Sequence, residues 1–355
     1  MSTGEYVDEL IALAIRLQAS DIHFDPFEER FLVRLRIHGR LVDIDQISGY
    51  EKWIHRQAVT RLKVLAKLSL VETRRPQDGY LHMKGNFGSC DLRISTLPTI
   101  QGERAVVRLI PGEVPDQTYV ALGMTPLQAA QLQSVVNENA GMIVVTGRVG
   151  VGKSTTLHAV LADRSNCGNS ILTIEDPVER RVSGYQQVEV DERIGLTFAQ
   201  GLRAALRQDP DVLMVGEIRD EATAKIAVRA ALTGHLLLST MHAELGPQVV
   251  YRLIEFGIPI EYIRQVLKLV IWQTLHPIDC TICAGAGCSA CKTLGVTGRK
   301  AEFSLFPSES IADFLCQPIS HDVFKTPYTH EFSEIGGHAD AKERSHVSRD
   351  RELTR

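Results

Sequence analysis

No stretch of about eighteen consecutive apolar residues occurs in the chain, so no segment reads as a membrane-spanning helix. The first residues, Met1 to Asp8, are polar and acidic, without the apolar core of a secretory signal. Basic residues do not outnumber acidic ones (39 against 43, net charge −4), and aromatics make up only 6% of the chain. A dedicated nucleic-acid binder needs a basic face, often with stacking rings, and neither is visible. Cysteine is scarce and its count is odd, seven in 355 residues, which argues against a disulfide framework. Cys90, Cys167 and Cys316 are scattered, whereas Cys280, Cys283, Cys288 and Cys291 cluster. What remains is ordinary for a globular protein, 44% hydrophobic and 23% charged, at a length that predicts two domains.

The chain is organised around Gly141 to Thr156. The apolar run Ile143–Val145 predicts a buried strand, Gly147-Arg148-Val149-Gly150-Val151-Gly152-Lys153-Ser154 matches the phosphate-binding loop pattern, and helix formers follow. Glycines at 147, 150 and 152 let backbone N–H groups approach an anion with no Cβ in the way. The positive end of the next helix points at the same place. Lys153 is expected on the β- and γ-phosphates, and the hydroxyl of Ser154, followed by Thr155, on Mg²⁺.

Upstream, residues 5–19 carry apolar side chains at helical spacing and 20–25 break that period. Residues 31–37 alternate as a half-buried strand, His38-Gly39 turns, and 40–43 return. A helix over about 50–68 and strands at 80–83, 90–95 and 104–109 complete an α+β domain, 1–110, followed by a linker, 111–125. Downstream of a helix at 126–137, strands at 171–174, 212–215 and 236–240 alternate with helices at 196–206 and 222–232, with Thr197 as a cap. This predicts a mostly parallel sheet covered on both faces, spanning 126–317. Residues 318–355 are polar and read as a weakly ordered tail.

Hydrolysis needs more than a phosphate loop: an acidic residue near the metal and a group to orient water. In α/β sheets these lie at the carboxyl ends of strands, where Glu175, Asp176 and Glu217 stand. The paired C-x-x-C motifs, Cys280/Cys283 and Cys288/Cys291, with a four-residue spacer, suit a closed tetrahedral Zn²⁺ site of structural character.

Four longer motifs carry a family resemblance: the loop Gly147–Thr155, the acidic box Ile174-Glu175-Asp176-Pro177-Val178-Glu179, the segment from Arg207 through Gly216-Glu217 to Asp220, and the histidine box from Thr233-Gly234-His235 to His242. With Ser20-Asp21-Ile22-His23, Arg74 to Gly79 and Asp91 to Thr99, they make the chain resemble the ATPases of type II secretion, type IV pilus and competence-pilus systems over about residues 15–305. The resemblance implies a RecA-like ATPase domain preceded by a smaller PAS-like domain. It also implies Glu175 as general base, Glu217 near Mg²⁺, His242 at the γ-phosphate region, and Arg93 and Arg108 as charge-neutralising fingers. It further implies a homo-hexamer at the cytoplasmic face of the inner membrane, held there by a platform protein, with ATP, Mg²⁺ and Zn²⁺ and no direct nucleic-acid partner. The tetracysteine element points to assembly or export, and the start close to the first motor domain to the short competence-pilus type. Departures are Ala243-Glu244 after the second histidine of the box, Arg148-Val149 in the loop, and His38 where an acid is usual. The rival expectations are a RecA-like nucleic-acid motor and an ATP-binding regulator with little turnover.

Overall fold

The computed structural model describes residues 3–28, 31–44, 55–85, 88–111, 118–243, 245–288, 290–291 and 294–311. Two sheets organise them. The first has six antiparallel strands in the order β3-β2-β1-β6-β5-β4: β1 (Ala19–Pro26), β2 (Phe31–Ile37), β3 (Arg40–Asp43), β4 (Gln77–Gly85), β5 (Gly88–Thr99) and β6 (Gly102–Pro111). Helix α1 (Thr3–Arg16) puts Tyr6, Val7, Leu10, Ile11 and Ala14 on one stripe, each at most 1% exposed. It packs with α2 (His55–Leu65) over Ile22, Phe24, Leu35, Leu92, Ile94 and Val107 of the sheet. The expected helix at 50–68 is therefore α2, its first five residues lying outside the described residues.

Residues 20–25, expected only as a break in helical period, are the centre of β1. Ile22 and Phe24 face the core, while Asp21, His23 and Asp25 take the opposite face. There they are buried by arginines from both neighbouring strands: Arg34 and Arg104 on Asp25, Arg36 and Arg108 on Asp21. Polar residues at every second position lowered the apparent hydropathy of a strand that is covered on both sides.

The second sheet has seven strands in the order β13-β12-β7-β11-β10-β8-β9. β7 (Gly141–Thr146), β8 (Ile171–Glu175), β9 (Gln186–Glu189), β10 (Val212–Val215), β11 (Leu236–Met241) and β12 (Leu267–Asp279) run parallel, and only β13 (Val296–Pro307) is antiparallel. Every residue of β7, β8, β10 and β11 is buried, because helices cover both faces: α3 (Pro126–Val136), α4 (Lys153–Asn166), α5 (Phe198–Ala205), α6 (Glu221–Leu232), α7 (Gln248–Glu255) and α8 (Ile260–Val266). The α/β, mostly parallel fold expected of this half is what the chain adopts. Thr197 caps α5 as expected, its hydroxyl accepting from the Gln200 N–H.

The pair β12–β13 was not foreseen, since Pro277 sits inside β12. Past Trp272 that strand no longer pairs with β7, so its outer edge carries no ladder and tolerates proline. The cysteine element occupies the connection between the two strands. Leu294 and Val296 beyond it join the core of the first sheet, and Arg40 donates to the Leu294 carbonyl at 2.6 Å.

Candidate functional site

The loop between β7 and α4 is built for close backbone approach. Gly147, Gly150 and Gly152 all have positive φ, at 143°, 79° and 90°. A Cβ on Gly147 would lie 2.3 Å from the Gln273 carbonyl oxygen. Gly147→Ala is therefore expected to destabilise the protein by about 1–3 kcal/mol, read as a lowered melting temperature. Gly152 precedes α4 without a side-chain cap, so the first N–H groups of that helix await an acceptor. Ser154 and Thr155 are exposed on its first turn. The Lys153 ammonium donates to the Gly147 and Arg148 carbonyls at 2.8 and 3.0 Å, folded back over the loop. Burial pulls its pKa down and the nearby Glu217 carboxylate opposes this.

Two strand tips bring the carboxylates. Glu175, the last residue of β8, is only 6% exposed. Its Oε1 accepts from the Thr173 hydroxyl at 2.7 Å and from Gln187 Nε2 at 3.0 Å. Burial pushes its pKa up against those two hydrogen bonds. Glu217 follows β10, with Oε2 accepting from Arg219 at 2.7 Å and Oε1 lying 3.1 Å from His242 Nε2. Arg219 also reaches within 3.9 Å of Asp176.

One cleft of about 740 Å³ gathers the loop residues Gly150, Gly152, Lys153, Ser154 and Thr155 with Glu175, Glu217, His242 and Arg108. Arg108 stands there with Nε 3.1 Å from Asp21. Arg93 is its cross-strand partner on β5, but lies over the Tyr80 ring, 5.7 Å from its centroid, and is not among the residues lining the cleft. The register continues as one row across five strands: Arg36, Asp21, Arg108, Arg93, Tyr80. The altered end of the histidine box contributes backbone: Ala243 exchanges two hydrogen bonds of 3.1 Å with the Thr146 hydroxyl, while Glu244 lies outside the described residues.

Sequence reasoning missed several residues here. Arg36 and Arg299 line the cleft beside Arg108. Gln273, 3% exposed on β12, donates to the Val151 carbonyl at 2.7 Å and accepts from Thr156 Oγ1 at 2.8 Å, tying loop to helix. The signal was an amide directly after the apolar run Leu269 to Trp272, because a buried amide must be hydrogen-bonded. His158 on α4 is buried with Nε2 3.9 Å from Glu175 Oε2.

The four clustered cysteines converge. Their ligand atoms all lie within 4.8 Å of one another, with Sγ separations of 3.9 Å (Cys280–Cys288), 3.7 Å (Cys283–Cys291) and 3.8 Å (Cys288–Cys291). Tetrahedral Zn–S bonds of about 2.3 Å demand sulfurs about 3.8 Å apart, so the set fits zinc. Backbone N–H groups of Cys288 and Gly295 point at Cys291 Sγ and pull its pKa down to about 6, and Gly287 N–H points at Cys283 Sγ.

The sequence model of the family described as "Type II/IV secretion system protein" matches residues 2–320. "Type II secretion system protein HxcR" of Pseudomonas aeruginosa is 41% identical over 308 residues, 84% of this chain and 65% of that protein. "Type II secretion system ATPase E" of Vibrio cholerae is 41% identical over 277 residues, 78% of this chain and 54% of that protein. The chain thus spans less than two thirds of the length of both relatives. Among solved structures, the pilus retraction motor PilT with bound ADP is 26% identical, covers 86% of each chain and superposes with a TM-score of 0.63. The ATPase DotB of Legionella pneumophila, at 22% identity and a TM-score of 0.64, shares the fold.

Proposed function

This chain belongs to the type II/IV secretion system protein family, and from that membership we propose that it is an ATPase whose hydrolysis cycle powers protein export or pilus assembly. The observation that carries the reading is the single cleft in which an uncapped helix N-terminus, the P-loop lysine, two strand-tip glutamates and an arginine of the first sheet face one another. We assign ATP to the glycine loop and the α4 N-terminus, and Mg²⁺ to the Ser154 hydroxyl with Glu217 nearby. An ion held there would supply positive charge against the phosphates of the nucleotide.

Lys153 would exchange its two loop carbonyls for phosphate oxygens, whose negative charge favours the ammonium form against the effect of burial. Glu175, with Oε1 anchored, turns Oε2 to the attacking water as general base. Arg108 would leave Asp21 for the phosphoryl group, with Arg93 following as the first sheet closes. Arginines placed so contribute about 10³–10⁵ in rate to phosphoryl transfer. His242 reports on the γ-phosphate through Glu217. Residues 1–110 would act as the closing domain and 126–317 as the motor domain.

The wider assignments follow the family. The working unit would be a homo-hexamer in the cytoplasm, bound peripherally to the inner membrane through a platform protein. No helix among the described residues is long and apolar enough to cross a membrane. We assign Zn²⁺ to Cys280, Cys283, Cys288 and Cys291 as a closed, structural site.

Melting with and without Mg-ATP tests the nucleotide assignment. At a concentration a hundredfold above Kd, bound ligand stabilises the native chain by about 2.7 kcal/mol. Wild type is expected to gain that shift and to release phosphate, and Lys153→Ala to lose most of both. An unshifted wild-type transition across millimolar Mg-ATP would end the proposal.

A further inference from the structure

We propose that His158 is a positioning residue for Glu175, a buried imidazole on the phosphate-loop helix that orients the base's reactive oxygen. The inference rests on Glu175 being the general base. His158 lies one helical turn beyond Ser154 and Thr155 on α4 and is 3% exposed. Its ring stacks on Tyr185, centroids 6.2 Å apart and planes 24° from parallel. Nδ1 lies 3.4 Å from the Tyr185 hydroxyl, and Nε2 lies 3.9 Å from Glu175 Oε2.

The chemistry of the two ring nitrogens gives the direction. When the Tyr185 hydroxyl donates to Nδ1, the neutral ring carries its proton on Nε2, aimed at Oε2. Glu175 Oε1 is already occupied by Thr173 and Gln187. The carboxylate is thus gripped through one oxygen by its own sheet and faced at the other by the helix that holds the phosphates. A shift of about 1 Å turns 3.9 Å into a hydrogen bond, and catalytic contacts commonly tighten in this way when substrate binds. Because α4 begins at the loop, phosphates drawing on its N-terminus move His158 with it. Loading the nucleotide would therefore set the angle of the base.

In the hydrolytic step the water O–H bond breaks and its proton goes to Glu175 Oε2. The water oxygen bonds to the terminal phosphorus as the bond to the diphosphate leaving group breaks. His158 donates a hydrogen bond throughout and takes no proton.

The surroundings make this donor matter. Glu179 and Glu189 act on Glu175 with like charge, adding to its burial. Arg108, Glu179 and Arg180 line the recess that His158 borders. Without His158, burial and two carboxylates act against the ionised base with one fewer donor, and the carboxylate is lost at a higher pH.

The test is the pH profile of kcat for the full chain carrying His158→Phe, His158→Asn (an amide too short to reach) and His158→Gln. Phe and Asn are expected to lower kcat about tenfold at neutral pH, to move the acid limb up by about one pH unit, and to leave the KM for ATP unchanged. Gln, whose amide reaches Oε2, is expected to return the limb to its wild-type position. A wild-type limb in either folded loss variant, or a Gln variant displaced like Phe, overturns the proposal. Glu175→Gln is measured alongside: wild-type turnover there would overturn the base assignment itself, a different failure from an unmoved limb in a chain whose Glu175→Gln form is inactive.

Discussion

Glu175→Gln is expected to lower kcat for ATP hydrolysis by about 10²–10⁴-fold while leaving nucleotide affinity near wild type. The amide keeps the size of the carboxylate and still accepts from Thr173 and Gln187, but it cannot take a proton from water. The same substitution should not lower the melting temperature, and should raise it at any pH above the folded pKa of the wild-type carboxyl. A carboxyl whose folded pKa lies above its unfolded value contributes stability at low pH and loses it as pH rises through the folded pKa. A neutral isostere does not suffer that loss. The raised pKa also places the acid limb of wild-type activity above the ordinary carboxylate range, falling as pH drops through the folded value. Steady-state kinetics with a labelled-nucleotide binding assay checks the first part, and calorimetry at two pH values the second. Full turnover with an intact carboxamide would remove Glu175 from the chemistry.

Loss of the metal is the second large effect. Protein purified without chelator is expected to carry one zinc per chain, and Cys288→Ser to carry none. Structural zinc sites in small peptides bind with about 10–16 kcal/mol of apparent free energy at neutral pH. Even about 3 kcal/mol of this, lost from the folded chain, lowers the melting temperature by about 6–12 °C for a domain of 150–250 residues. The damage should spread beyond the loop. Leu294 and Val296, just past the last cysteine, sit in the core of the first sheet, and Arg40 holds the Leu294 carbonyl. Hydrogen exchange should accordingly rise in β2 and β3 as well as around the cysteines. Elemental analysis finding no zinc, or a Cys288→Ser chain melting with wild type, would refute the site.

Much of the half built on the parallel sheet could be read from the chain because its signals are local. Continuous apolar runs gave β7, β10 and β11, and Thr197 marked the start of α5. The first half was harder. β1 alternates acids and histidine with core residues, and only the arginines of β2 and β6, distant in sequence, make its polar face a buried one. Pro277 concealed β12, since whether an edge is paired cannot be judged from one strand alone.

The residue types themselves determined the phosphate loop, the acids at strand ends and the four thiols, because each motif is a short spacing whose chemistry depends on neighbours along the chain. Which distant side chains meet those motifs was decided by packing. The fold put Gln273 beneath the loop, His158 behind Glu175, and Arg108 rather than Arg93 into the cleft. These depend on strand order and register, which place residues far apart in sequence within a few ångströms, and no local pattern encodes that proximity.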